Sequence, residues 1–292
     1  MKKIGVIGNG FVGNAVAAGF SYYTGDKVSI KIYDVDPEKS THTYTETVFS
    51  DYVFVCLPTP MCDEEGGECN LSIIEDFFEE LPTTAEGVFI IKSTVPIGTT
   101  KSLCEKYPHL KIVHNPEFLT AKNAEYDFLN TDRHVIGGEK DLVESVSNLY
   151  KACFPISVGC EGTTVPIYKM TSDESEAVKY FANTYLASKV ILFNEMKLLC
   201  DSMNMNWDGV RKGVISDKRV GISHTQVPGP DGELGFGGIC FAKDINALLQ
   251  TMEENDVNPI VMKSVWEQNK NIREDWDWAN IKSAVLPKEG SK

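Results

Sequence analysis

The sequence predicts an α/β protein: a doubly wound parallel sheet followed by a helical region built around one long helix. Three observations predict it. A glycine-rich turn joins a strand-like run to a helical run at the N-terminus. Further apolar runs alternate with helical stretches as far as residue 138. An unbroken helical pattern then extends from Ser172 to about Met203. Strands separated by helices imply crossover connections, and crossovers imply parallel pairing with ligands at the strands' C-terminal ends. A chain of 292 residues is long enough for about two cores of roughly 150 residues each.

The first strand-like run (Ile4, Val6, Ile7) passes directly into Gly8-Asn9-Gly10-Phe11-Val12-Gly13. Val12, Val16 and Phe20, with Ala15 and Gly19 between them, fit a helix packed on a sheet. A second strand ends at Asp34, 21 residues past Gly13. The glycines permit a tight turn and close approach of a pyrophosphate, and the helix N-terminus adds positive dipole. Asp34 is placed to accept hydrogen bonds from ribose hydroxyls. No arginine follows it closely, so NAD is expected over NADP, with Lys39 the nearest cation. The bland alternative is an ordinary βαβ turn with a surface aspartate.

Strands are expected within residues 51–60, 87–96, 110–118 and 133–138. Three of them end in Pro-linked polar residues: Thr59-Pro60, Ser93-Thr94-Val95-Pro96 and Asn115-Pro116-Glu117. Proline after a strand is commonly a stop signal. Three such ends on the ligand-binding edge of one sheet are a candidate site.

In the long helix Ser172 or Asp173 can cap the start, with acids filling the first turn as the helix dipole prefers. Lys179 and Asn183 are four residues apart and share a face. On spacing alone, Glu176 and Lys179 read equally as a surface i,i+3 ion pair of little energetic value. Beyond the helix lies GFGGICFAKD, residues 235–244. A helix is expected to begin near Lys243, placing its N-terminus and an ammonium beside Cys240. Both lower a thiol's pKa and raise the thiolate fraction at neutral pH. Cys56, Cys104, Cys153 and Cys200 read as small buried apolar residues.

The formal net charge of -14 argues against a nucleic-acid or anionic-membrane surface. No stretch approaches the 18 or so apolar residues of a membrane span, and the N-terminal apolar run is too short for a signal peptide. The eight cysteines show no CxxC pairing and the five histidines are dispersed, so reduced thiols in a cytoplasmic protein without metal are expected.

Taken together, GNGFVG, CLPTP, STVPIGTT, NPEFL, EAVKYFANTYLASKVILFNE, DKRVG and GFGGICFAKD resemble the UDP-glucose/GDP-mannose 6-dehydrogenase family of nucleotide-sugar oxidoreductases, in order and in spacing. The resemblance implies a Rossmann-type NAD-binding domain over residues 1–171, a helical dimerisation domain carrying the thiol over 172–273, and a tail over 274–292. It implies a four-electron oxidation of a UDP-sugar at C6 by two NAD, through a thiohemiacetal and a thioester on Cys240. It assigns Lys179 and Asn183 to oxyanion stabilisation, Asp244 and Thr94 to water, and Glu117 to acid–base steps. Gly8, Gly10, Phe11, Val12, Gly13, Asp34, Pro58, Thr59 and Thr94 would contact NAD. Glu117, Phe118, Leu119, Lys179, Asn183, Phe236, Gly237 and Gly238 would contact substrate, and Arg219 would reach a substrate across a homodimer interface.

Two departures from the family pattern are visible. A second acid often stands four positions after the first in NPEFL, where this chain has Ala121 followed by Lys122. Family members also continue into a third, nucleotide-holding domain, which the eighteen residues from Asp275 to Lys292 cannot form. Nucleotide contacts are then expected from the remaining fold, the dimer partner, the HTQVPGPDG segment with His224, or the tail. Trp276 and Trp278 could stack on a base, against the plainer expectation that they pack into a core. Besides UDP-glucose, GDP-mannose and UDP-N-acetylhexosamines stand as substrates for the same chemistry. A non-catalytic NAD-binding partner protein is the reading from another class. A β-hydroxyacid dehydrogenase shares the plan but needs no thiol.

Overall fold

The computed structural model describes residues 1–24, 27–154 and 165–286; Cys160 lies outside them. Along the chain the strands are β1 (Lys2–Ile7), β2 (Val28–Tyr33), β3 (Tyr52–Val55), β4 (Met61–Asp63), β5 (Gly66–Cys69), β6 (Val88–Ile91), β7 (Lys111–His114), β8 (His134–Gly138) and β9 (Ile167–Met170). The helices are α1 (Phe11–Thr24), α2 (Tyr44–Val48), α3 (Ser72–Glu79), α4 (Thr99–Lys106), α5 (Ala124–Leu129), α6 (Lys140–Cys153), α7 (Ser172–Ser202), α8 (Trp207–Ile215), α9 (Cys240–Glu254) and α10 (Ile260–Ile272). They form two units. The first comprises Met1–Thr59 and Leu71–Lys179; the second comprises Pro60–Asn70 and the chain from Tyr180.

In the first unit, seven strands run in the order β2-β1-β3-β6-β7-β8-β9. The central strands are apolar at every position because helices cover both faces. Their alternation sorts side chains into two cores. Tyr52, Phe54, Val88 and Ile90 join α1, α5 and α6 on one face. Val53, Val55, Phe89 and Ile91 join α3 and α4 on the other. This is the doubly wound plan expected from sequence. One detail differs: β7 and β8 pair antiparallel, so β8 and β9 run against the other five strands. An antiparallel neighbour needs no crossover helix, and α5 in the intervening segment packs against α1 instead.

The second unit is mainly helical. Its core gathers Ala187 and Ile191 of α7, Ala242, Ile245 and Leu249 of α9, Val265 and Trp266 of α10, and Met61 of β4. The hairpin β4–β5 was not anticipated. It leaves the first unit's chain after Thr59, contributes to this second core, and returns before α3. The chain's last described stretch is part of the same core. Trp278 is 0% exposed and its indole Nε1–H donates to Glu64 O at 2.9 Å. Met61 and the tail pair through Met61 N to Ala284 O (2.7 Å) and Leu286 N to Met61 O (2.8 Å). For Trp278, the core-packing expectation is the one observed, and Trp276 stacks on it.

Two helix starts depart from the sequence reading. α7 is capped by Thr171, whose hydroxyl accepts from Glu174 N while the Glu174 carboxylate accepts from Thr171 N. That reciprocal arrangement is a capping box, so neither Ser172 nor Asp173 is needed as the cap. α9 begins at Cys240 rather than near Lys243. Gly235 and Gly238 absorb the positive φ values (71° and 75°) that turn the chain, and Ile239 is already helical. The thiol therefore sits in the first turn of the helix.

Candidate functional site

The turn between β1 and α1 is built on steric necessity. A Cβ on Gly13 would run into the Gly8 carbonyl, and one on Gly8 (φ +86°) would stand 2.6 Å from Cys56 O. At Gly10 the space is open, with nothing within 4 Å of a Cβ position, which leaves bare backbone for a ligand. Phe11 and Val12 are half-buried at the helix start. Asp34 lies at the end of β2, where Asn9 N donates to its Oδ2 at 2.6 Å and Asp36 N to its Oδ1 at 2.9 Å. Lys39 is engaged with Asp36 at 3.6 Å. Beside this turn the ends of β3 and β6 are tied together. Thr59 Oγ1 donates to Thr94 O at 2.8 Å, and Ser93 Oγ to Leu57 O at 2.6 Å. Pro58 is exposed on the same edge.

Past the end of β7, Glu117 is 6% exposed and meets Lys179, which is 2% exposed. The Lys179 ammonium donates to Glu117 O at 2.6 Å and to Glu117 Oε1 at 3.0 Å. Leu119 N donates to the other carboxylate oxygen at 2.6 Å. Burial pushes Glu117 up, but the Lys179 charge, the Leu119 N–H and Lys92 together outweigh it and hold the carboxyl below its ordinary value. An ammonium has three N–H donors; two go to Glu117, leaving a third for a ligand. The Phe118 ring lies between two cations, with Arg133 4.2 Å and Lys179 5.3 Å from its centroid. Ala121 and Lys122 fall in a short 3₁₀ turn on the surface.

The sequence reading of Glu176 and Lys179 as a surface ion pair does not hold. Both are buried and they face different partners. Glu176 accepts from Gly98 N (2.6 Å), Thr100 N (2.8 Å) and Thr100 Oγ1 (2.6 Å), closing the N-terminus of α4. Burial nevertheless raises its pKa to about 7. Lys92 also escaped notice. It is 3% exposed and donates to Asn115 Oδ1 at 3.1 Å and Pro116 O at 3.3 Å, bracing the turn that carries Glu117. Burial lowers its pKa to about 8. For Lys92 the signal was a charged residue at the end of the apolar run Val88–Ile91, whereas Glu176 stands among other acids and gave none.

In the second unit, Asn183 of α7 donates through Nδ2 to Asp244 Oδ2 at 2.5 Å, and Lys243 Nζ donates to Asp244 Oδ1 at 2.6 Å. Asp244 is fully buried and Lys243 side chain is 11% exposed. Burial opposes the Lys243 charge, yet Asp244 first, then Cys240 and Cys69, hold its proton and move its pKa up. The ammonium expected near Cys240 is thus Lys243. Cys240 is half-buried in the first turn of α9, exposed to the dipole of that helix and to the Lys243 charge. Phe236, Gly237 and Gly238 form the loop before it. Arg219 projects outward with its side chain 90% exposed, held in a fork by Asp217 (Nη2 to Oδ2 2.6 Å). The helix α7 carries Lys179 in the first unit and Asn183 in the second.

Among the described residues, no group of His, Cys, Asp and Glu is arranged to hold a metal, and no helix is long and apolar enough to cross a membrane.

Comparison with known proteins gives a consistent picture. Residues 38–154 match the model of the NAD binding domain of the UDP-glucose/GDP-mannose dehydrogenase family, and residues 173–271 match that of its central domain. A UDP-glucose 6-dehydrogenase from Campylobacter jejuni is 31% identical over 92% of this chain and 72% of its own length. One from Rickettsia bellii is 32% identical over 84% of this chain, which spans 55% of that relative. Among solved structures, a UDP-glucose dehydrogenase from Pyrobaculum islandicum superimposes with a TM-score of 0.78 at 27% identity, over 93% of this chain and 68% of that one.

Proposed function

Because this chain belongs to the UDP-glucose/GDP-mannose dehydrogenase family, we propose that it oxidises the C6 alcohol of UDP-glucose to the carboxylate of UDP-glucuronate, with NAD as oxidant. The observation that carries this reading is Cys240 in the first turn of α9 with the Lys243 ammonium acting on it. A plain alcohol dehydrogenase has no use for such a thiol.

The glycine turn fits NAD: bare backbone at Gly10, the N-terminus of α1, and Asp34 at the end of β2. When bound, NAD supplies the hydride acceptor for each of the two oxidations. Residues 1–171 hold the cofactor, with Phe11, Val12, Pro58, Thr59 and Thr94 lining the same edge. Residues 172–273 carry the thiol.

The chain's own residues divide the work. Lys179 offers its remaining N–H to the C6 oxygen as negative charge develops there, and Asn183 adds a neutral donor. The Cys240 thiolate adds to the carbon of the C6 aldehyde, and the carbonyl oxygen takes up a proton to give a thiohemiacetal. Loss of a hydride and a proton from that adduct leaves a thioester. Water, oriented by Asp244 and Thr94 and deprotonated with the help of Glu117, then attacks the thioester and releases carboxylate and thiol. Glu117 is ionised at neutral pH, as a proton acceptor must be. Phe118, Leu119 and the Phe236–Gly238 backbone flank the sugar. Arg219, free of the body of its own chain, serves a substrate held by the partner copy of a homodimer.

The stoichiometry tests this reading. Two NADH should form per UDP-glucose consumed, with GDP-mannose and UDP-N-acetylglucosamine as comparison substrates. One NADH per sugar, or none with UDP-glucose, would overturn it.

A further inference from the structure

The loop that presents Cys240 has little means of fixing its own shape. Three of its four residues from Gly235 to Gly238 are glycine, and two of them adopt positive φ. Such a segment is held in place only from outside. Side-chain oxygens do this one N–H at a time. Asn194 Oδ1 accepts from Gly235 N at 3.1 Å. Asn269 Oδ1 accepts from Phe236 N at 2.7 Å, and Asn269 Nδ2 returns a bond to Phe236 O at 3.0 Å. Asp277 accepts from Gly238 N with both carboxylate oxygens, at 3.1 and 3.0 Å.

The last of these contacts lies two residues before the thiol, and its acceptor is itself fixed. Arg273, 4% exposed, donates through Nη2 to Asp277 Oδ1 (3.2 Å) and Asp231 Oδ2 (2.8 Å). It also donates through Nε to Asp275 O (2.7 Å) and through Nη1 to Leu234 O (3.3 Å). One guanidinium fork thus joins the segment entering the loop to the segment that closes over it. The fit is tight: a Cβ on Gly237 would collide with the Arg273 guanidinium and the Asp277 carboxylate.

We infer that Asp277, locked by Arg273, is a positioning residue for Cys240. It sets where the sulfur sits by anchoring the Gly238 N–H. A detachable, autoinhibitory tail is the other reading of a carboxylate on this loop. The buried Trp278 and the main-chain pairing of Ala284 and Leu286 with Met61 favour a permanent part of the core instead. The inference rests on Cys240 being the nucleophile, and it deepens that assignment.

Asp277→Ala removes the anchor, and Asp277→Asn retains an acceptor oxygen. Displacing a reacting group by about an ångström costs on the order of a hundredfold in rate. With UDP-glucose and NAD, Asp277→Ala should therefore lower kcat at least about tenfold, with KM within about threefold of the parent. Alkylation of Cys240 by iodoacetamide, followed on its own peptide by mass spectrometry, should quicken as the half-buried thiol becomes accessible. Asp277→Asn should restore both. The idea fails if Asp277→Ala keeps its kcat, if kcat rises, or if the loss comes without a change in alkylation and without rescue by asparagine. Amide hydrogen exchange in the parent tests the same anchor without a variant: Gly238 should be protected, and free exchange there would overturn it. The alkylation and exchange readouts need no turnover, so their failure is distinct from failure of the proposed activity.

Discussion

The Lys179 ammonium bonds both the backbone carbonyl and the side-chain carboxylate of Glu117, at 2.6 and 3.0 Å, with neither residue more than 6% exposed. One side chain therefore neutralises the acid and fixes the turn that carries it. Replacing Lys179 by Met leaves a buried carboxylate that keeps the Lys92 charge but loses its directly bonded cation. Breaking such a pair on one side costs about 3–5 kcal/mol. Lys179→Met should lower the thermal midpoint of unfolding and abolish turnover. Lys179→Arg should keep most of the stability while losing activity, because the fork cannot reproduce a point-like ammonium. Calorimetry and steady-state rates check the two separately.

Cys240→Ser should abolish steady-state turnover of UDP-glucose, because the C6 aldehyde then has no thiol to carry it to the second oxidation, while leaving NAD affinity within about twofold by titration. Turnover within about tenfold of the parent would sink the covalent assignment. Lys243→Met should move the pH midpoint of Cys240 alkylation upward, because a cation that favours the thiolate is lost.

Stability should fall on acidification. His114 and His134 are buried, and desolvation lowers both from the ordinary 6.5 to about 3. Unfolded chains take up those two protons below pH 6.5 and the folded protein does not, so stability declines as pH drops from 6.5 towards 3. Glu176 works in the opposite sense. Its folded value of about 7 against 4.5 means the folded state binds the extra proton, and stability declines as pH rises across that window. Between pH 4.5 and 6.5 two histidines outweigh one glutamate, so the net slope is downward towards acid. Glu176→Gln should steepen that slope, and His134→Phe should flatten it. Urea unfolding at a series of pH values measures both.

Along α7, Phe181, Tyr185, Leu192, Met196 and Leu199 are each 42–61% exposed. Their spacing of three, four and seven places them along one stripe of the helix. An apolar stripe of this length suits a second copy of the chain. Leu192→Lys with Leu199→Lys should turn a dimer into a monomer at micromolar concentration by light scattering. A monomeric parent would remove the dimer from the proposal, and with it the role given to Arg219.

Features fixed by local chemistry were legible in the sequence, and features fixed by distant partners were not. The turn from Gly8 to Gly13 needs glycine whatever surrounds it, so it announced itself, as did the alternating strands and the length of α7. The destination of Lys179 could not be read, because an acid three residues away in sequence was a closer suitor than Glu117. The hairpin at residues 61–69 has turn glycines, but nothing local tells which core it joins. The start of α9 was misplaced by three residues because no side chain caps it; the positive φ angles of Gly235 and Gly238 do that work from the backbone.

That hairpin also orders events during synthesis. Glu64 bonds the indole of Trp278, 214 residues further along. The second unit thus draws on segments made early and on segments made 214 residues later. Until Trp278 and Ala284 have left the ribosome, Met61 and its neighbours wait on the surface of a nascent chain whose first unit can already be folding. Contacts of such sequence separation form slowly, and Met61, fully buried in the finished unit, lacks its core until they do.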